Sequence, residues 1–597
     1  MRSPYAHARI LLVDLAAALA MPGVVAAYDG AAIAKVCTPW VGVLTHFATM
    51  RSMPQHALAI DQTRWQGEPV AVVLAATRAQ AEDAAQAVVV EWHELPAQAD
   101  KSSALAPDAV VVHPELGDNR CMHWSIDKGE VEAAFAQAAI VAEETFTFAR
   151  HTPVTLEPRT MLADYNPGDG LLTVHASSQV PHMMRDVIAK HLGLVDANVR
   201  VICLDVGGSF GMKIHVYPDE MTVAACALLL RRPVKFVADR LESFVSDIHV
   251  REHVVKGRIA VDASGMITAF AIHDLTGIGA FSMYPRSSGA EGMQVFNYTG
   301  APYRHQTYSA RLEVVFQHKV PTSQYRAVGH PIACAVTEGL VDAAARKLGR
   351  DPAEFRRQNL IRDDAYPYTS PTGMRFECLS HQASLEKLVT LMNYDALRAE
   401  QASHRARGIQ RGIGLAAMVE LTNPGPSVYA VGGALITSQD GATIRLERSG
   451  HVTVMVSVGE QGQGTETIFA QIAADVIGVS VENVHVVTGD TQTMPIGGGT
   501  WGSRGAGIGG ETVLQAGKGL KAQILTLAGV VLGVSAGDLD LVEGQIVDRT
   551  DGALRRPLRE IAHIGYMRPD TLPKSFQPEL IATRHFSPRD YPVTFTN

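Results

Sequence analysis

The segment DVGGSFGMK (205–213) is a glycine-rich turn between an apolar run, VRVICLDV (199–206), and a helical stretch, EMTVAACALLL (220–230). A strand, a glycine loop and a helix in this order can hold phosphate, because bare backbone N–H groups and a helix N-terminus both favour anions. The P-loop pattern G-x-x-x-x-G-K-[ST] does not fit, since Met212 precedes Lys213 and Ile214 follows it. Any anion site here is therefore expected to use backbone groups.

A second glycine loop, GSRGAGIGG (502–510), contains the dinucleotide-binding pattern G-x-G-x-x-G at Gly505, Gly507 and Gly510. The segment before it, DTQTMPIGGGTWGSR, reads as a loop rather than a strand, and no acidic residue lies about twenty residues beyond Gly507. A nicotinamide or flavin dinucleotide site is therefore disfavoured. The glycines either only permit tight turns or offer backbone N–H groups to an anion.

The GGSFG loop belongs to a repeated unit of strand, polar turn with Gln, helix, Gly, strand and glycine loop, and the second copy ends in three glycines at 497–499. The two copies are residues 172–211 and 452–499. The separation from Gln to Gly is 14 residues between Gln179 and Gly193, and 15 between Gln463 and Gly478. Repeated supersecondary units usually stack or oppose each other. The repeat predicts one large ligand gripped between two halves of the chain.

The elements that must position these loops fall into three parts. Residues 1–100 alternate strands (8–15, 24–30, 68–75, 89–95) with one alanine-rich helix (77–89), which is typical of an α/β domain. A Pro/Ala/Ser-rich connector follows, and a second boundary lies after a helix with Asp351 as N-cap, Pro352 at N1 and Glu354 at N3. We predict linkers at 101–124 and 367–390, a first α+β domain at 125–366 and a second at 391–597.

Composition excludes several classes of partner. The chain has 597 residues, 47% of them hydrophobic, and 52 Lys+Arg against 61 Asp+Glu, with no basic block that would bind nucleic acid. No apolar run approaches the ~20 residues of a membrane span, and the start MRSPYAHARI lacks a signal-peptide core. The six cysteines lie far apart without C-x-x-C, so we expect buried thiols, no disulfide framework, no cysteine-built cluster, and a cytoplasmic location.

Several ordered motifs along the chain resemble those of the molybdenum hydroxylases, the family of xanthine dehydrogenase, aldehyde oxidase and carbon monoxide dehydrogenase. RSPYAHARI, EPVAVVLA and EWHELP resemble its N-terminal hammerhead domain. SSQVPH, DVGGSFGMK, QYRAVGHP and DPAEFRRQNLI resemble its first molybdopterin-binding domain, and GQGTETIFAQIAADVIGV with TWGSRGAGIGG its second. The resemblance implies a hammerhead domain followed by two repeated molybdopterin-binding α+β domains.

The resemblance also implies roles for individual residues. Gln179 would hydrogen-bond an oxo ligand of molybdenum, Gly208, Phe210 and Gly211 would lie against the metal, and Arg326 would sit in the loop that closes over it. The pterin and its phosphate tail would be lined by Gly462, Gln463, Gly464, Ser503, Arg504 and Gly505. Amide and backbone donors suit oxo and phosphate oxygens. No protein metal ligand is expected, because in this family the pterin sulfurs hold the metal.

A molybdenum–molybdopterin cofactor is expected, in the cytosine dinucleotide form, because two Gln/Gly units offer more anion-binding backbone than a single phosphate needs. Electrons would leave through an iron–sulfur small subunit and an FAD-binding medium subunit. In this family a glutamate of a G-E motif near the C-terminus is the general base. The G-E pairs at residues 67–68, 129–130, 459–460 and 510–511 lie in other motifs. We therefore expect the second domain to be incomplete, with an unpaired edge near V-T-F-T (593–596), and the base to lie in a missing segment or a partner chain.

Departures from the family pattern narrow the substrate. Ile214 stands where purine-hydroxylating relatives have glutamate, and Gln294 replaces their pocket arginine. Ala327 stands where carbon monoxide dehydrogenases have a copper-binding cysteine, and alanine cannot ligate copper. The resemblance would place Ile214, Gln294, Ala327 and Val328 in the substrate pocket, and the apolar Ile214 and Val328 suggest a flat, weakly polar substrate, an aldehyde or an N-heteroaromatic compound. Two alternatives stay open: a cofactor-holding scaffold half without turnover, and a nucleotide-binding dehydrogenase that rests on G-x-G-x-x-G alone.

Overall fold

The computed structural model describes residues 1–589 and 593–597. The first part of the chain forms two small antiparallel sheets, ordered β3-β1-β5 and β2-β4, with α3 packed beside β4. Its elements are β1 (Ala8–Asp14), α1 (Ala16–Leu19), β2 (Val24–Asp29), α2 (Gly30–Ile33), β3 (Gln62–Thr63), β4 (Ala71–Ala75), α3 (Arg78–Gln86) and β5 (Val89–Glu94). Thr77 caps α3 by accepting a hydrogen bond from the Gln80 N–H. The predicted strands and the predicted helix are all present.

The middle of the chain contains a five-stranded sheet, β6-β14-β13-β12-β7, and a four-stranded sheet, β10-β9-β8-β11. Its elements are β6 (Arg120–Lys128), α4 (Val131–Ala136), β7 (Ile140–Phe148), β8 (Thr160–Asn166), β9 (Leu171–Ala176), α5 (Pro181–Leu192), β10 (Val199–Ile202), α6 (Pro218–Leu230), β11 (Val234–Val237), α7 (Arg240–Ser246), β12 (His253–Val261), β13 (Ile267–Gly277), α8 (Ala290–Tyr298), β14 (Thr307–Val315), α9 (His330–Leu348) and α10 (Pro352–Asn359). Asp351 caps α10 as predicted, accepting from the N–H groups of Ala353 and Glu354.

The last part is built on a second four-stranded sheet, β20-β19-β18-β24, covered by α13 and α14. Its elements are β15 (Tyr368–Thr369), β16 (Arg375–Phe376), α11 (His381–Leu391), α12 (Tyr394–Ala406), β17 (Glu420–Thr422), β18 (Asp440–Leu446), β19 (Val452–Val456), α13 (Thr465–Ile477), β20 (Val484–Val487), α14 (Gly510–Leu532), β21 (Leu539–Val542), β22 (Gln545–Asp548), β23 (Leu554–Pro557), α15 (Leu558–Met567), β24 (Ile581–Phe586) and β25 (Thr594–Thr596).

The predicted repeat is confirmed as two equivalent β-α-β units. In the first, β9 and β10 pair in parallel around α5, and in the second, β19 and β20 pair in parallel around α13. Both helices end at a left-handed glycine, Gly193 (φ 68°) and Gly478 (φ 95°). A side chain at Gly478 would place its Cβ 1.9 Å from the Leu541 carbonyl oxygen, so the residue type there is fixed by packing as well as by conformation.

Each sheet encloses its own apolar core. In the second β-α-β half, Val454 and Ile444 of the sheet lie fully buried against Phe469 of α13 and Val513 of α14. In the first half, Val174 and its neighbours on the sheet pack against α5 and α6. Helices α8 and α9 cover the five-stranded sheet. The paired β-α-β units are thus held by rigid cores, and the loops at their strand ends are free to form a site.

The segments predicted as linkers are ordered. In 101–124, the Asn119 side chain accepts a hydrogen bond from the Val112 N–H (2.7 Å) and donates to the Ala104 carbonyl (3.1 Å), and β6 begins at Arg120. In 367–390, Phe376 is fully buried and α11 begins at His381. Both linkers were predicted from composition, which cannot show that buried side chains such as Asn119 and Phe376 hold these segments in place.

The strand predicted at the end of the sequence is paired along one edge. β25 pairs antiparallel with β17, with Phe595 opposite Leu421. In the described part of the chain these two strands form a two-stranded sheet, so the other edge of β25 has no strand partner, which agrees with the unpaired edge expected near V-T-F-T. Residues 590–592 lie outside the described part of the chain. Among the described helices, none combines the length and apolar character that a membrane crossing needs.

Candidate functional site

The two β-α-β units meet at the carboxyl ends of β10 and β20, where their glycine loops begin. The Cys203 N–H donates to the Gly489 carbonyl (2.7 Å), and the Val201 N–H donates to Thr491 Oγ1 (3.0 Å). Arg200 Nη2 and Asp490 Oδ2 form an ion pair at 2.5 Å across the same seam. This contact fixes the two sheets edge to edge and brings both glycine-rich segments to one place.

Gln179 ties three loops together at this junction. Its Nε2 donates to the Thr500 carbonyl (2.8 Å), which belongs to the other half, and its Oε1 accepts from the Gly211 N–H (2.9 Å). Its backbone N–H donates to the Lys213 carbonyl (3.1 Å). The residue is 4% exposed. One of the two N–H groups on Nε2 is left over for a further acceptor.

The GGSFG loop presents an apolar ring beside Gln179. Gly208 (φ 90°) and Gly211 (φ 97°) are left-handed, and so is Phe210 (φ 52°), whose side chain is 45% exposed. A non-glycine residue in this region costs on the order of 1–3 kcal/mol, which the surrounding contacts must offset. Ser209 Oγ donates to Gln461 Oε1, so this loop also contacts the glycine-rich loop GEQGQG (459–464), which contains Gln463.

The segment YRAV (325–328) closes over the GGSFG loop. The Arg326 N–H donates to the Phe210 carbonyl (2.8 Å), and the Arg326 side chain points to solvent. Ala327 (φ 65°) and Val328 (φ 48°) are both left-handed and half-buried. Gln294 Oε1 accepts the Gly329 N–H (2.8 Å) and fixes the end of the segment. The resemblance assigned Arg326, Ala327, Val328 and Gln294 to the site. The bond from the Arg326 N–H to Phe210 connects their segment to the loop whose Gly211 N–H donates to Gln179.

Ile214 lies apart from this surface. It is 4% exposed and belongs to the apolar core under α5 and α6. The neighbouring Lys213 ammonium, fully buried, pairs with Glu157 at 3.2 Å. Burial lowers the pKa of Lys213, although Glu157 acts in the opposite direction. Of the four residues predicted to line a substrate pocket, Gln294, Ala327 and Val328 come together and Ile214 stays behind the loop.

The Glu460 carboxylate organises the loop that contains Gln463. In the sequence Glu460 was visible only as part of a Gly-Glu pair, without this role. Glu460 Oε1 accepts from the N–H groups of Gly462 (2.7 Å) and Gly464 (3.2 Å), and its Oε2 accepts from that of Glu466 (3.2 Å). Burial alone would raise the pKa of Glu460, but these backbone N–H groups outweigh it and hold the pKa below its usual value. The Gln463 side chain is exposed. The amides at the start of α13 are thus already engaged.

Ser503, Arg504 and Gly505 lead into α14 through one turn of π-helix, Gly505–Gly509. Ser503 is exposed, whereas Arg504 is fully buried and donates to Asp440 Oδ2 through Nε (3.0 Å) and Nη2 (2.7 Å). Its guanidinium is therefore structural. The Ile508 and Gly509 N–H groups donate to the Arg504 carbonyl (2.8 and 3.3 Å). The N–H groups of Gly505, Ala506 and Gly507 precede them at the start of the helix, where the helix dipole favours an anion.

The junction leaves space and unsatisfied polar groups for a large ligand. A Cβ built on Gly459, Gly462 or Gly464 would meet nothing within 4 Å, although Gly459 itself is buried. Gln461 Nε2 is buried and has no hydrogen-bond partner among the described residues. Gly459, Gly462 and Gly464 thus form a surface without side chains, here called the glycine floor, beside an unpaired amide donor and a helix N-terminus. Such groups suit a molecule with several acceptor oxygens, such as a pterin with a phosphate tail.

A buried cation behind the junction also escaped the sequence reasoning. Arg286 is fully buried, lies 4.4 Å from the Trp501 ring centre and 5.1 Å from that of Tyr429, and no nitrogen of its guanidinium has a hydrogen-bond partner among the described residues. Burial lowers the pKa of Arg286 to about 10. Trp501 stands next to Thr500, the partner of Gln179. The only signal in the sequence was the position of Trp501 between two glycine-rich stretches.

Three family profiles match the chain. The profile described as "Aldehyde oxidase and xanthine dehydrogenase, a/b hammerhead domain" matches residues 1–96. Two profiles described as "Molybdopterin cofactor-binding domain" match residues 112–360 and 387–596. The second and third profiles contain the two β-α-β units and their glycine loops.

Individual relatives cover the same span. The chain is 30% identical to the carbon monoxide dehydrogenase large chain of Hydrogenophaga pseudoflava, over 100% of this chain and 75% of the relative. It is 31% identical to the nicotine 6-hydroxylase large subunit of Paenarthrobacter nicotinovorans, over 98% of this chain and 71% of the relative. The crystal structure of quinoline 2-oxidoreductase from Pseudomonas putida 86 superposes with a TM-score of 0.93 at 32% identity, covering 100% of this chain and 75% of that one.

Proposed function

The chain belongs to the molybdenum hydroxylases as a molybdopterin-binding large subunit, and from that premise we propose that it takes part in the oxidative hydroxylation of an N-heteroaromatic compound or an aldehyde, with water as the oxygen source. The observation that carries the proposal is the junction of the two β-α-β units, where Gln179 joins the GGSFG loop to Thr500 beside a bare glycine floor.

The residues at the junction fit a molybdopterin. Gln179 offers its remaining N–H, the GGSFG loop offers backbone around Gly208 and Gly211, and Gln461 offers an unpaired buried donor. The phosphate tail, in a dinucleotide form that carries cytosine, would lie at the backbone N–H groups of the turn from Gly505. When bound, the molybdenum centre supplies a two-electron redox centre for oxygen transfer to carbon. The residues of this chain would hold and orient it.

The pocket side of the junction favours a flat, weakly polar substrate. Phe210 presents its ring to the open side, and Ala327 and Val328 add small apolar groups. Ala327 cannot ligate copper, which separates this site from a copper-containing carbon monoxide site. Two relatives are named for quinoline and nicotine, both N-heteroaromatic compounds. Of the two proposed substrate classes, N-heteroaromatic compounds are therefore preferred to aldehydes.

Electron transfer would require partner subunits. The Cys37, Cys121, Cys203 and Cys226 thiols are buried and form no disulfide, and within residues 1–589 and 593–597 no three His, Cys, Asp or Glu side chains form a metal-binding group. Relatives named as large subunits support assembly with an iron–sulfur small subunit and an FAD-binding medium subunit. The burial of unpaired thiols supports a reducing, cytoplasmic compartment.

A scaffold role without turnover is the second candidate. It is favoured by the state of Glu460, the Gly-Glu carboxylate that lies at the junction, because backbone N–H groups engage both of its oxygens. A carboxylate held ionised in this way is a weak general base. Turnover by the assembled complex in ¹⁸O-labelled water, with label found in the product, would exclude this scaffold role.

The experiment that tests cofactor binding compares two glycine variants. Gly464 (φ 83°) and Gly533 (φ 70°) are both left-handed, and a Cβ at either position meets nothing within 4 Å. Gly464→Ala and Gly533→Ala should therefore lose similar stability, ~1 kcal/mol each. After co-expression with the partner subunits, only Gly464→Ala should lose molybdenum and pterin. Equal metal contents in both variants, or NAD or FAD bound to this chain, would contradict the proposal.

A further inference from the structure

A chain of four buried charged groups runs behind the YRAV segment. His253 Nδ1, on β12, lies 2.9 Å from both carboxylate oxygens of Asp274 on β13, and His253 Nε2 lies 3.5 Å from Glu291 Oε2 on α8. Glu291 Oε1 pairs with Arg251 Nη1. The four side chains are 0%, 1%, 3% and 8% exposed, in the order His253, Asp274, Glu291, Arg251. Opposite charges alternate along the chain, so each buried charge has a partner.

The network ends on the backbone of the site. Arg251 Nη2 donates to the Arg326 carbonyl (2.6 Å), and the Arg326 N–H donates to the Phe210 carbonyl (2.8 Å). Arg251 is itself left-handed (φ 67°), and its backbone N–H donates to Glu291 Oε2 (3.1 Å). Glu291 therefore fixes both the backbone and the side chain of the residue that holds the segment.

The same helix holds the other end of the segment. Gln294, one turn after Glu291 on α8, accepts the Gly329 N–H (2.8 Å). A Cβ on Gly329 would lie 2.3 Å from the Glu291 carbonyl, which shows how closely the segment approaches the helix. Between these two attachments lie Ala327 and Val328, both in a conformation that neither residue type favours.

We propose that Glu291 is a positioning residue: through Arg251 it clamps the first end of the YRAV segment, as Gln294 clamps the second, and so sets the shape of the substrate side of the site. Only the statement that this side of the site receives a substrate rests on the proposed function. The clamp on the segment is a property of the chain alone. Glu291 touches neither the glycine loops nor the open space above them, and it acts on the site through Arg251 and the Arg326 backbone.

Hydrogen exchange at the Arg326 and Gly329 amides tests the clamp without cofactor. In the purified full chain, Glu291→Gln should speed exchange at the Arg326 amide by about tenfold or more, because the neutral side chain no longer holds Arg251. Arg251→Lys keeps the positive charge but replaces the planar guanidinium, whose two nitrogens reach Glu291 and the Arg326 carbonyl, with one ammonium on a shorter side chain, so it should speed exchange at the same amide. In the loaded complex, both variants should raise KM more than they lower kcat.

Glu338→Gln is the matched control. Glu338 is buried and pairs with Arg356 at 2.6 Å, about two turns along α9 from the end of the YRAV segment, and it makes no recorded contact with that segment. It should destabilise the chain and leave the Arg326 amide unchanged. The proposal is overturned if Glu291→Gln and Arg251→Lys leave that amide protected, or if Glu338→Gln exposes it equally. Loss of cofactor binding in all forms would refute the proposed function and leave the exchange result standing.

Discussion

Replacement of Gln179 by alanine separates a role at the reacting centre from a role in holding loops together. In the structure the side chain makes two hydrogen bonds, to the Thr500 carbonyl and from the Gly211 N–H. Each neutral bond contributes ~0.5–1.5 kcal/mol to stability, so Gln179→Ala should lower the free energy of unfolding by about 1–3 kcal/mol. At ~2–4 °C per kcal/mol or less for a large chain, the melting temperature should fall by only a few degrees.

Turnover should fall much further than stability. Removal of one preorganised donor at a reacting centre costs on the order of 10²–10³ in kcat. The remaining N–H of Gln179 is such a donor if the proposed cofactor lies at the junction. Gln179→Glu keeps the volume but faces the Thr500 carbonyl with an acceptor, so it should lose both loop contact and turnover.

Gln401→Ala provides the control for stability. Gln401 is 7% exposed, donates to the Arg411 carbonyl (2.7 Å) and accepts from Arg398 Nη1 (2.6 Å), so it loses the same number of bonds on α12, far from the junction. Melting temperature and dye-linked turnover should be measured for both variants in the assembled complex. Equal falls of turnover in Gln179→Ala and Gln401→Ala would refute a direct role and leave Gln179 as a local hydrogen-bonding residue.

Two further variants test the buried charges. Asp440→Asn leaves the fully buried Arg504 without its counter-charge, so urea unfolding of the second half should lose about 3–5 kcal/mol, while Asp548→Asn in an exposed pair should barely change it. Burial alone would lower the pKa of His253, but Asp274 and Glu291 raise it from 6.5 to about 9. Stability from this proton is complete below pH 6.5 and is lost as the pH rises through about 9; unfolding across that range should show a steeper loss for the native chain than for His253→Gln.

The architecture was predictable because it rests on local patterns. Alternating apolar residues gave the strands, and the Asp351-Pro352 start gave a helix whose cap the structure contains. The paired Gln and Gly spacings gave the repeat, since a helix of fixed length between two parallel strands sets that separation. From the sequence, a contact between the two copies of the repeat was only a general expectation. The hydrogen bonds and the ion pair that form this contact are seen only in the structure.

The missed residues share a physical cause. Glu460, Arg286 and Glu291 act through partners that are distant in sequence or through backbone N–H groups, and no spacing rule reports such contacts. Ile214 was predicted to line a substrate pocket because of its place in a motif. In the structure the chain turns at Gly211, and the Ile214 side chain packs in an apolar core. Motif position fixes the backbone path of a loop better than it fixes which side chains face a ligand.

The carboxylate of Glu460 decides which helix N-terminus can receive a phosphate. Helices α13 and α14 both begin at the junction, and both dipoles favour an anion there. At α13 the anion is already present, because Glu460 accepts from the Gly462, Gly464 and Glu466 amides. A phosphate at the same place would face a like charge. At the turn from Gly505, Arg504 pairs with Asp440, and Glu511 in the first turn of α14 bonds Gln515 (2.6 Å) rather than the Gly505, Ala506 and Gly507 amides. We therefore propose that the phosphate tail of the cofactor lies at the start of α14 and that Gln463 lies beside the pterin.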